Sequence, residues 1–469
     1  MKIVVCVKPV KGDINPFDES ALEFAFAIQN AEITVVSMGP ASSLSMLKKI
    51  SRLPVSRLVL LCDNAFAGSD TLATGYILSI AIREMNPELI ICGKQSIDGD
   101  TAQVGVLLSA MLGYSLVTNV LEASYKGGKL FGTSRSTDKP IESKTVVTVE
   151  KSRYLRFPSI FSKEKDVEIK TASDLGVDLS RCGLKGSPTA VLKTYENERG
   201  RRNCKFITFN ELADVIAAAK AKKRSAEKQQ IFEKKLDEIW IVDNKTEKIA
   251  HTLADKVVVL PKMPPGEIAK AAAEKKPKVI LWAADEWGRE NAPIVQAILK
   301  TGLCADCTNL ETDGEKLYMF RPAGAGNIIA KIECKTLPAM ATVRCSEEVE
   351  KNIIVSAGKG VTDCLDTVKA FAYALNAELG ASRTVVDTGL VPYRNQIGLT
   401  GKSVHPCIYI ACGISGAVQH TCAIEDSGTV IAINTDKNAK IFDYADYGVV
   451  DDFKNIGKTI EHIKLNGGC

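Results

Sequence analysis

The residues best suited to chemistry lie between Gly380 and Asp452. Two apolar runs in this stretch, Cys407–Ala411 and Thr429–Ile433, have the character of buried strands and are followed by loops of small residues. Such loops let backbone N–H groups approach a phosphate, because open α/β sheets bind ligands beyond the carboxyl ends of their strands. One Arg, one Thr, one Gln and one His of this stretch could converge on a polar heterocycle. An ordinary strand–turn–helix explains the pattern equally well, so the pattern alone leaves both interpretations open.

A second candidate phosphate site is the stretch 93–105 (GKQSIDGDTAQVG), which joins a predicted strand to a predicted helix. Its glycines and Thr101 suit a nucleotide phosphate at the N-terminus of that helix. The alternative is a helix that Asp100 or Thr101 merely caps. The residues alone favour the capping interpretation.

The elements that would hold these stretches alternate between strand and helix. The run 2–7 (KIVVCV) is continuous, as buried parallel strands are, and Asn15-Pro16 predicts a helix that Asn15 caps and Pro16 begins. Residues 238–300 repeat the order of the first part, which predicts two related parallel sheets with right-handed crossovers. In the second, the loop 285–291 carries acids where a phosphate would lie, so we expect that unit to keep the fold without a nucleotide.

Composition indicates an ordinary globular protein of several domains. The 469 residues allow two to four domains, and a net charge of +4 gives no reason to expect nucleic-acid binding. No apolar stretch has the length of a membrane span, and the first ten residues lack the features of a signal peptide. The 14 cysteines are scattered through predicted strands, which predicts a reduced, cytoplasmic chain. Neither the C-x-x-C pair at 304–307 nor the glycines at 358–360 completes a metal site or a P-loop, so no metal is expected.

The C-terminal stretch resembles the FAD-binding domain of electron transfer flavoprotein α subunits. Several motifs in the same order and spacing make this resemblance specific. The similar segments are Gly380–Arg383, Val391–Gly398, Thr400–Lys402, Gly413–His420 and Ala445–Gly448.

The first part of the chain resembles the β subunit of the same family. The similar segments are Asn15–Asp18, Ser37–Pro40, Phe66–Thr74, Asp98–Gly105, Asp174–Asp178 and Gly183–Thr189. Segments 301–303 and 321–327 resemble the first domain of the α subunit. The chain is therefore similar, over nearly its whole length, to a β subunit joined to an α subunit.

This resemblance implies an α/β fold of three domains, two of them related parallel-sheet domains of nucleotide-binding type and the third a C-terminal FAD-binding domain. The β-like nucleotide-binding domain with its C-terminal arm would span 1–220. A charged helical linker would follow at 221–236. The first α-like domain would span 237–352 and the FAD-binding domain 353–469.

The resemblance assigns three residues to the flavin chemistry of the C-terminal site. Arg383 would lie against the isoalloxazine ring, where a fixed cation stabilises negative charge on the reduced flavin and raises its potential. Thr400 would donate a hydrogen bond to flavin N5. His420, which closes the segment GISGAVQH, would face the N1/O2 edge of the ring. These three are the predicted catalytic residues.

Further residues of this stretch would hold the rest of the cofactor. Ser382, Gln396 and Ser415 would hold the ribityl chain and the pyrophosphate, and Asn434 and Asp452 would receive the adenosine end. The remaining expected contacts are Ile397, Gly398, Gly401, Gly413, Gly416 and Gln419.

One residue departs from the family pattern. Leu399 stands where the family usually has Gln, so GQTGK becomes GLTGK here. The change removes a polar contact, and we expect it to alter cofactor placement or potential. Lys402 in the same segment either adds charge near the phosphates or is solvated.

The first site raises the question of which nucleotide it binds. In single-flavin members of the family this part binds AMP, and in electron-bifurcating members it binds a second FAD that accepts hydride from NADH. Segments 66–74 and 98–103 resemble the bifurcating type, and Gly99 stands where the AMP type tends to carry an acid that would repel a pyrophosphate. FAD is the expected ligand and AMP the alternative. The expected contacts are Cys6, Thr71, Thr74, Ser96, Gly99, Asp100, Thr101, Ala102, Gln103 and Val104.

The resulting hypothesis is a fused electron transfer flavoprotein with two FAD groups. NADH would reduce the first flavin, and one electron would pass to the higher-potential flavin near Arg383. That flavin would serve a flavin-dependent dehydrogenase such as acyl-CoA dehydrogenase, while the other electron would pass to ferredoxin or flavodoxin. Two alternatives remain. One is a single-flavin shuttle holding FAD and AMP, and the other is a nucleotide-binding regulatory or scaffold protein without redox activity.

Overall fold

The computed structural model describes residues 1–135, 137–196, 201–221, 232–324, 328–345, 351–398 and 401–465. The chain divides into two compact units, one made of Met1–Tyr195 and Ile231–Arg344 and the other of Glu196–Gln230 and Cys345–Cys469. Together they contain three parallel sheets of seven, five and six strands. The predicted α/β class with several parallel-sheet domains is confirmed.

The first sheet of the larger unit has seven parallel strands. In spatial order they are Glu168–Lys170, Arg57–Leu61, Glu32–Met38, Lys2–Cys6, Leu89–Gly93, Thr145–Val149 and Ser115–Val120. Alternate residues of Lys2–Cys6 pack into two separate cores, one on each face, which is why the whole run is apolar. The longer helices of this part are Pro16–Phe26, Leu44–Ser51, Thr71–Met85 and Val104–Leu112. The strand order reverses between Lys2–Cys6 and Leu89–Gly93, the place where open α/β sheets bind ligands.

The second sheet of the larger unit confirms the predicted repeat. Its five parallel strands, in spatial order, are Ala254–Leu260, Leu236–Val242, Val279–Ala283, Ala339–Val343 and Leu303–Cys307. This order matches that of the last five strands of the first sheet. Even a register shift recurs: Asn119 and Asp306, in the corresponding last strands, both have positive φ, 58° and 55°. The helices of this part are Glu247–Leu253, Pro265–Lys275 and Glu286–Leu299.

Smaller elements complete the larger unit. A four-stranded sheet contains Thr189–Glu196, Ile328–Cys334, Leu317–Ala323 and Asn309–Thr312. A three-stranded antiparallel sheet contains Asp138–Pro140, Lys129–Thr133 and Glu122–Lys126, and Pro9–Val10 pairs with Asp13–Ile14. Two short helices are Ala172–Leu175 and Gly183–Gly186.

The smaller unit is built on the six-stranded parallel sheet. In spatial order its strands are Lys205–Phe206, Tyr447–Val450, Thr429–Asn434, Ile408–Cys412, Ile353–Ala357 and Glu378–Ala381. Its helices are Phe209–Ala221, Leu365–Ala374, Arg383–Asp387, Val418–Thr421 and Gly457–Leu465. The strand order reverses between Ile353–Ala357 and Ile408–Cys412, so this sheet also has a ligand-binding edge of the same type.

The predicted C-terminal arm contributes an edge strand and a helix to this smaller unit. Lys205–Phe206 pairs with Tyr447–Gly448, and Leu212 and Ile216 of the helix Phe209–Ala221 lie in the core of the sheet. Most of the predicted linker, 222–231, lies outside the described residues. In the described ranges, no helix is long and apolar enough to cross a membrane.

Candidate nucleotide sites

The residues predicted for the first site gather where the strand order of the seven-stranded sheet reverses. Cys6 ends one central strand, and the loop carrying Ser96 follows the other. The Thr71 Oγ1 lies 2.5 Å from the Gln103 Oε1, which joins the first turn of the helix Thr71–Met85 to the end of that loop. Thr74 lies in the same first turn.

The end of this loop has the backbone geometry of an anion-binding nest. Asp100 and Ala102 are non-glycine residues with positive φ, 52° and 54°. Within the part of the chain that the structure describes, no acceptor lies at the backbone N–H groups of Thr101, Ala102 and Gln103. Such alternation of backbone conformation points successive N–H groups into one concavity that suits a phosphate. The interpretation of this loop as a simple capped helix is not supported, because no side chain caps the helix Val104–Leu112.

The acid next to this nest is neutralised. Lys8 Nζ lies 2.8 Å from both carboxylate oxygens of Asp98 and 3.3 Å from Ser96 Oγ. Partial burial raises the pKa of Asp98, but the hydrogen bond and charge of Lys8 outweigh it and hold that pKa below its ordinary value. A Cβ added at Gly99 would lie 3.3 Å from Ser96 Oγ, a tight contact, and 3.9 Å from Lys8 Nζ. Lys8 therefore compensates the charge of Asp98, while the second acid of the loop, Asp100, accepts from the neutral Gln95 Nε2 at 3.2 Å.

Two buried polar residues position this loop. Asn15 lies at the N-cap of its helix, as predicted, but its side chain makes no cap bond. Its Nδ2 instead donates to Gln95 O at 2.9 Å, and its Oδ1 accepts from Ile97 N at 3.3 Å. Asp18 is buried and accepts from Lys8 N at 2.7 Å, and burial raises its pKa to about 7. Both residues lie in the segment NPFD, one of the segments that resemble the β subunits, and this resemblance was the sequence signal for their importance.

The second parallel sheet has a carboxylate at the equivalent helix. Asp285 follows Val279–Ala283, and its Oδ1 accepts from Gly288 N at 2.8 Å at the N-terminus of the helix Glu286–Leu299. Lys245 lies 2.7 Å and Lys262 3.6 Å from the other oxygen. The carboxylate thus occupies the position that a phosphate takes in nucleotide sites. The geometry agrees with the expected loss of a nucleotide there.

An ion-pair cluster fills the register shift of that sheet. Asp306 accepts two hydrogen bonds from Arg289, at 3.0 and 2.9 Å, and one from Arg344 at 3.1 Å. Burial raises the pKa of Asp306, but the two guanidinium groups outweigh it and hold that pKa far below its ordinary value. Sequence reasoning missed this cluster because its members lie on three separate elements.

The residues predicted for the flavin site gather at the reversal point of the six-stranded sheet. Gly358 N donates to Cys412 O at 2.7 Å and Gly360 N to Gly413 O at 3.0 Å, so two loops meet beyond the strand ends. A Cβ at Gly416, where φ is 86°, would collide with the backbone of Ile441. Only glycine allows this close approach.

The loop after Ile408–Cys412 offers donors to a pyrophosphate. Among the described residues, no acceptor lies at the backbone N–H groups of Ser415, Gly416 and Ala417. These groups precede the short helix Val418–Thr421, and no side chain caps it. The residues present therefore fit a phosphate-bearing cofactor.

Arg383 stands at the start of the helix Arg383–Asp387 and is half-buried. Its Nε lies 3.3 Å from Asp387 Oδ2, an exposed pair that screens its charge only weakly. Ser382 lies at the N-cap position of this helix, but its hydroxyl makes no cap hydrogen bond. Arg383 is thus a fixed cation beside the same strand ends.

Three backbone hydrogen bonds link residues 396–398 to residues 401–402. Lys402 N donates to Gln396 O at 2.9 Å, Gly398 N to Lys402 O at 3.2 Å, and Gly401 N to Gly398 O at 3.0 Å. Gln396 is buried. Lys402 pairs with Glu378, so its charge is compensated. Leu399 and Thr400 lie outside the described residues, and their roles stay predictions.

His420 is buried and engaged by two internal partners. Its Nδ1 lies 3.1 Å from Ile397 O and its Nε2 2.8 Å from the Tyr409 hydroxyl. Burial lowers the pKa of His420 to about 4. A carbonyl can only accept, so Nδ1 carries the proton and Nε2 accepts from Tyr409. The imidazole is neutral at pH 7 and ties Ile397 to the sheet.

The side chains expected at the adenosine end also have internal partners. Asn434 Nδ2 donates to Ile414 O at 2.9 Å, and Asp452 Oδ1 accepts from Lys454 N at 3.0 Å. Gln419 is exposed. Their contacts with a cofactor stay predictions. Across the described ranges, no group of three or more His, Cys, Asp or Glu side chains could hold a metal ion.

Comparisons with known proteins identify the family of the chain. Residues 3–157 and 210–360 match the electron transfer flavoprotein domain, and residues 349–425 match the electron transfer flavoprotein FAD-binding domain. The chain is 39% identical to the electron transfer flavoprotein subunit alpha of Thermoanaerobacterium thermosaccharolyticum over 244 residues, 42% of this chain and 74% of that protein. It is 41% identical to the subunit beta of the same organism over 194 residues, 39% of this chain and 75% of that protein.

A third relative is named as an electron transfer subunit. The chain is 35% identical to the acryloyl-CoA reductase electron transfer subunit beta of Anaerotignum propionicum over 266 residues, 41% of this chain and 72% of that protein. Both kinds of subunit are thus matched within one chain, as the fused arrangement inferred from the motifs requires. The chain belongs to the electron transfer flavoprotein family.

Proposed function

We propose that this electron transfer flavoprotein carries two FAD groups, takes electrons from NADH at the first, and divides them between two acceptors. The high-potential acceptor is a flavin-dependent dehydrogenase, and the low-potential one is ferredoxin or flavodoxin. The observation that carries the proposal is the backbone nest at Asp100–Gln103 beside an Asp98 that Lys8 neutralises. Such a nest suits the phosphate of either FAD or AMP, and the resemblance of segments 66–74 and 98–103 to the bifurcating type, with Gly99 in place of an acid, is what favours FAD.

Each part of the first site has a distinct task in this proposal. The N–H groups of Thr101, Ala102 and Gln103 bind the pyrophosphate, and the Thr71–Gln103 hydrogen bond holds the nest against the helix Thr71–Met85. FAD, when bound, supplies the hydride and single-electron chemistry. The protein supplies orientation and charge.

In the C-terminal site the positive charge near the flavin comes from Arg383. His420 contributes no charge there, because its imidazole is neutral and both ring nitrogens have internal partners. Its expected place at the N1/O2 edge therefore becomes a positioning role through Ile397 O. Arg383 alone raises the flavin potential, and Thr400 is the proposed donor to flavin N5.

The partner dehydrogenase docks, in this proposal, on an exposed apolar segment, residues 154–161. Tyr154 is 83% exposed, Phe157 96%, Ile160 83% and Phe161 86%. Four large apolar side chains at such exposure are unusual on a monomer and are typical of a protein interaction surface. A relative named as an electron transfer subunit of acryloyl-CoA reductase supports an acyl-CoA dehydrogenase as the partner.

The decisive experiment counts nucleotides and then adds NADH. Purified chain is denatured, FAD and AMP are quantified by chromatography, and the intact protein is titrated anaerobically with NADH while flavin absorbance is recorded. Two FAD per chain and bleaching by NADH are the expected results. One FAD with one AMP and no bleaching by NADH would refute the two-flavin proposal and establish the single-flavin shuttle.

The same preparation also tests the alternative of a regulatory or scaffold protein without redox activity. A colourless protein that takes up no FAD on reconstitution would be a nucleotide-binding regulatory or scaffold protein. The backbone N–H groups at Ser415–Ala417, which fit a pyrophosphate, favour the flavoprotein. NADH oxidation is an activity of this chain only in the two-flavin case.

A further inference from the structure

The helix Pro16–Phe26, with its preceding residue, buries an unusual number of polar side chains. Asn15 is 1% exposed, Asp18 5%, Ser20 2% and Glu23 7%. A buried polar or charged group is costly unless other groups satisfy it. Each of these four side chains makes a hydrogen bond to a segment outside the helix. Asn15 and Asp18 bond residues at the nucleotide loop, and Ser20 and Glu23 bond residues 153–156.

The N-terminal end of the helix holds the nucleotide loop. Asn15 bonds both Gln95 O and Ile97 N, an amide fork that fixes the loop just before the nest. Asp18 accepts from Lys8 N, and Lys8 in turn carries the ion pair to Asp98. The loop is therefore anchored to the first turn of this helix.

The other end of the helix holds the exposed apolar segment. Ser20 Oγ donates to Arg153 O at 2.9 Å and accepts from Arg153 N at 3.1 Å. Glu23 accepts four bonds from Arg156: from the backbone N at 2.8 Å, from Nε at 3.0 and 3.1 Å, and from Nη2 at 2.8 Å. Arg156 lies between the exposed Tyr154 and Phe157. Arg156, whose side chain is itself 48% exposed, is thus held against the helix by Glu23, while Tyr154 and Phe157 on either side face solvent.

We propose that the helix Pro16–Phe26 is a shared brace, in which Asn15 positions the nucleotide loop and Glu23 positions the exposed apolar segment, so that a nucleotide in the first site stiffens the docking surface. The inference rests on the proposed function, because it requires nucleotide binding at the first site. Asn15 and Glu23 are positioning residues.

The physical basis is the rigidity of a short helix packed in the core. Ala21, Leu22, Phe24 and Ala25 fix the helix on the sheet, so Asn15 and Glu23 are joined by hydrogen-bonded backbone and cannot move independently. Binding at the nest removes conformations in which the loop and the first turn separate from the sheet. Because the helix moves as one body, conformations that displace its first turn also displace Glu23 from Arg156, and their loss lowers the local opening of residues 153–158.

Hydrogen–deuterium exchange of the full chain tests the proposal. The amide exchange of peptides covering 151–158 is measured with the first site empty and after saturation with AMP or, separately, with FAD. We expect about threefold to tenfold slower exchange of these peptides with either nucleotide. Glu23→Gln keeps the shape and weakens the charged bonds, so the segment should exchange about tenfold faster and its response to nucleotide should disappear.

A matched control exists in the same segment. Glu122 pairs with Arg153 at 3.0 Å, but both partners are half exposed and Glu122 lies on the hairpin rather than on the helix. Glu122→Gln should leave both the exchange and its response to nucleotide unchanged. Asn15→Ala should abolish the response while the intrinsic exchange of 151–158 changes little.

The outcomes separate the inference from the proposed function. Chain that binds neither AMP nor FAD at the first site contradicts the proposed function. Chain that binds either nucleotide with unchanged exchange at 151–158 overturns the shared brace. Equal effects of Glu23→Gln and Glu122→Gln overturn it as well, because the helix would then have no special part. Far-ultraviolet circular dichroism confirms that each variant is folded.

Discussion

Substituting Asp18 by Asn should remove a large pH dependence from the stability of the larger unit. Burial raises the pKa of Asp18 from 3.8 to about 7. In the unfolded chain the carboxyl loses its proton near pH 4, whereas in the folded chain it holds the proton up to about pH 7. Between these values the folded state binds more protons, so the free energy of unfolding falls as pH rises.

The size of the effect follows from the shift of about 3 pKa units. Each unit corresponds to about 1.4 kcal/mol, so Asp18 lowers the free energy of unfolding by about 4 kcal/mol between pH 4 and pH 8. The asparagine amide of the variant does not titrate. Its oxygen still accepts from Lys8 N, whereas burying the new NH2 donor costs about 1–3 kcal/mol at every pH. That constant cost shifts the stability curve of the variant without changing its slope.

Urea unfolding between pH 4.5 and 8.5 measures the slope. All three tryptophans, Trp240, Trp282 and Trp287, lie in the larger unit, so their fluorescence reports its unfolding. We expect the stability difference between the wild type and Asp18→Asn to change by about 3–4 kcal/mol across this range. Asp13→Asn, at a neighbouring and mostly exposed carboxylate, should leave it constant. Parallel pH profiles for wild type and Asp18→Asn would refute the argument.

Four further changes test the sites. Arg383→Ala should lower the potential of the C-terminal flavin by about 30–60 mV, the equivalent of one charge-assisted contact, and an unchanged redox titration would remove Arg383 from its role. Gly99→Asp should weaken FAD at the first site about tenfold, with Gly99→Asn as the uncharged control; equal loss at both sites would contradict the assignment. Phe157→Ser should slow reduction by an acyl-CoA dehydrogenase about tenfold but not reduction by dithionite, whereas the equally exposed Tyr373→Ser should affect neither. Asp306→Ala should cost about 3–5 kcal/mol in urea unfolding, since it leaves buried guanidinium groups without their carboxylate; a loss below about 1 kcal/mol would show that the cluster is not structural.

The parallel sheets were predictable because their strands are nearly continuous apolar runs. A strand that is buried on both faces must be apolar at nearly every position. The repeated order of such runs predicted the repeated sheet. Boundaries were less accurate: the predicted strand Cys407–Ala411 is Ile408–Cys412 in the structure. The small-residue loops were also visible, since only glycine allows approaches such as that of Gly416 to Ile441.

The polar partners could not be predicted. Periodicity shows which face of the helix Pro16–Phe26 is apolar, yet Glu23 is buried because Arg156, 133 residues later, reaches it. Asn15 resembled a cap because local sequence favours that role, but the loop 80 residues later competes for its amide. The charge state of His420 depends likewise on Tyr409 and on Ile397 O, which belong to other elements. Pairings over such distances in sequence leave no local pattern.

The two related sheets of the larger unit show what makes a nucleotide site in this fold. They share the strand order, the reversal point and the register shift at Asn119 and Asp306, so the position available to a ligand is the same in both. They differ in the loop at that position. In one, two left-handed residues turn successive N–H groups inward; in the other, the Asp285 carboxylate already accepts the helix N–H group and is paired with lysines. A phosphate would have to displace the Asp285 carboxylate from the N-terminus of that helix. This would break both the ion pairs with the lysines and the cap bond from Gly288 N. The fold therefore supplies the location and the loop differs between the two copies, so we expect a nucleotide at the first sheet and none at the second.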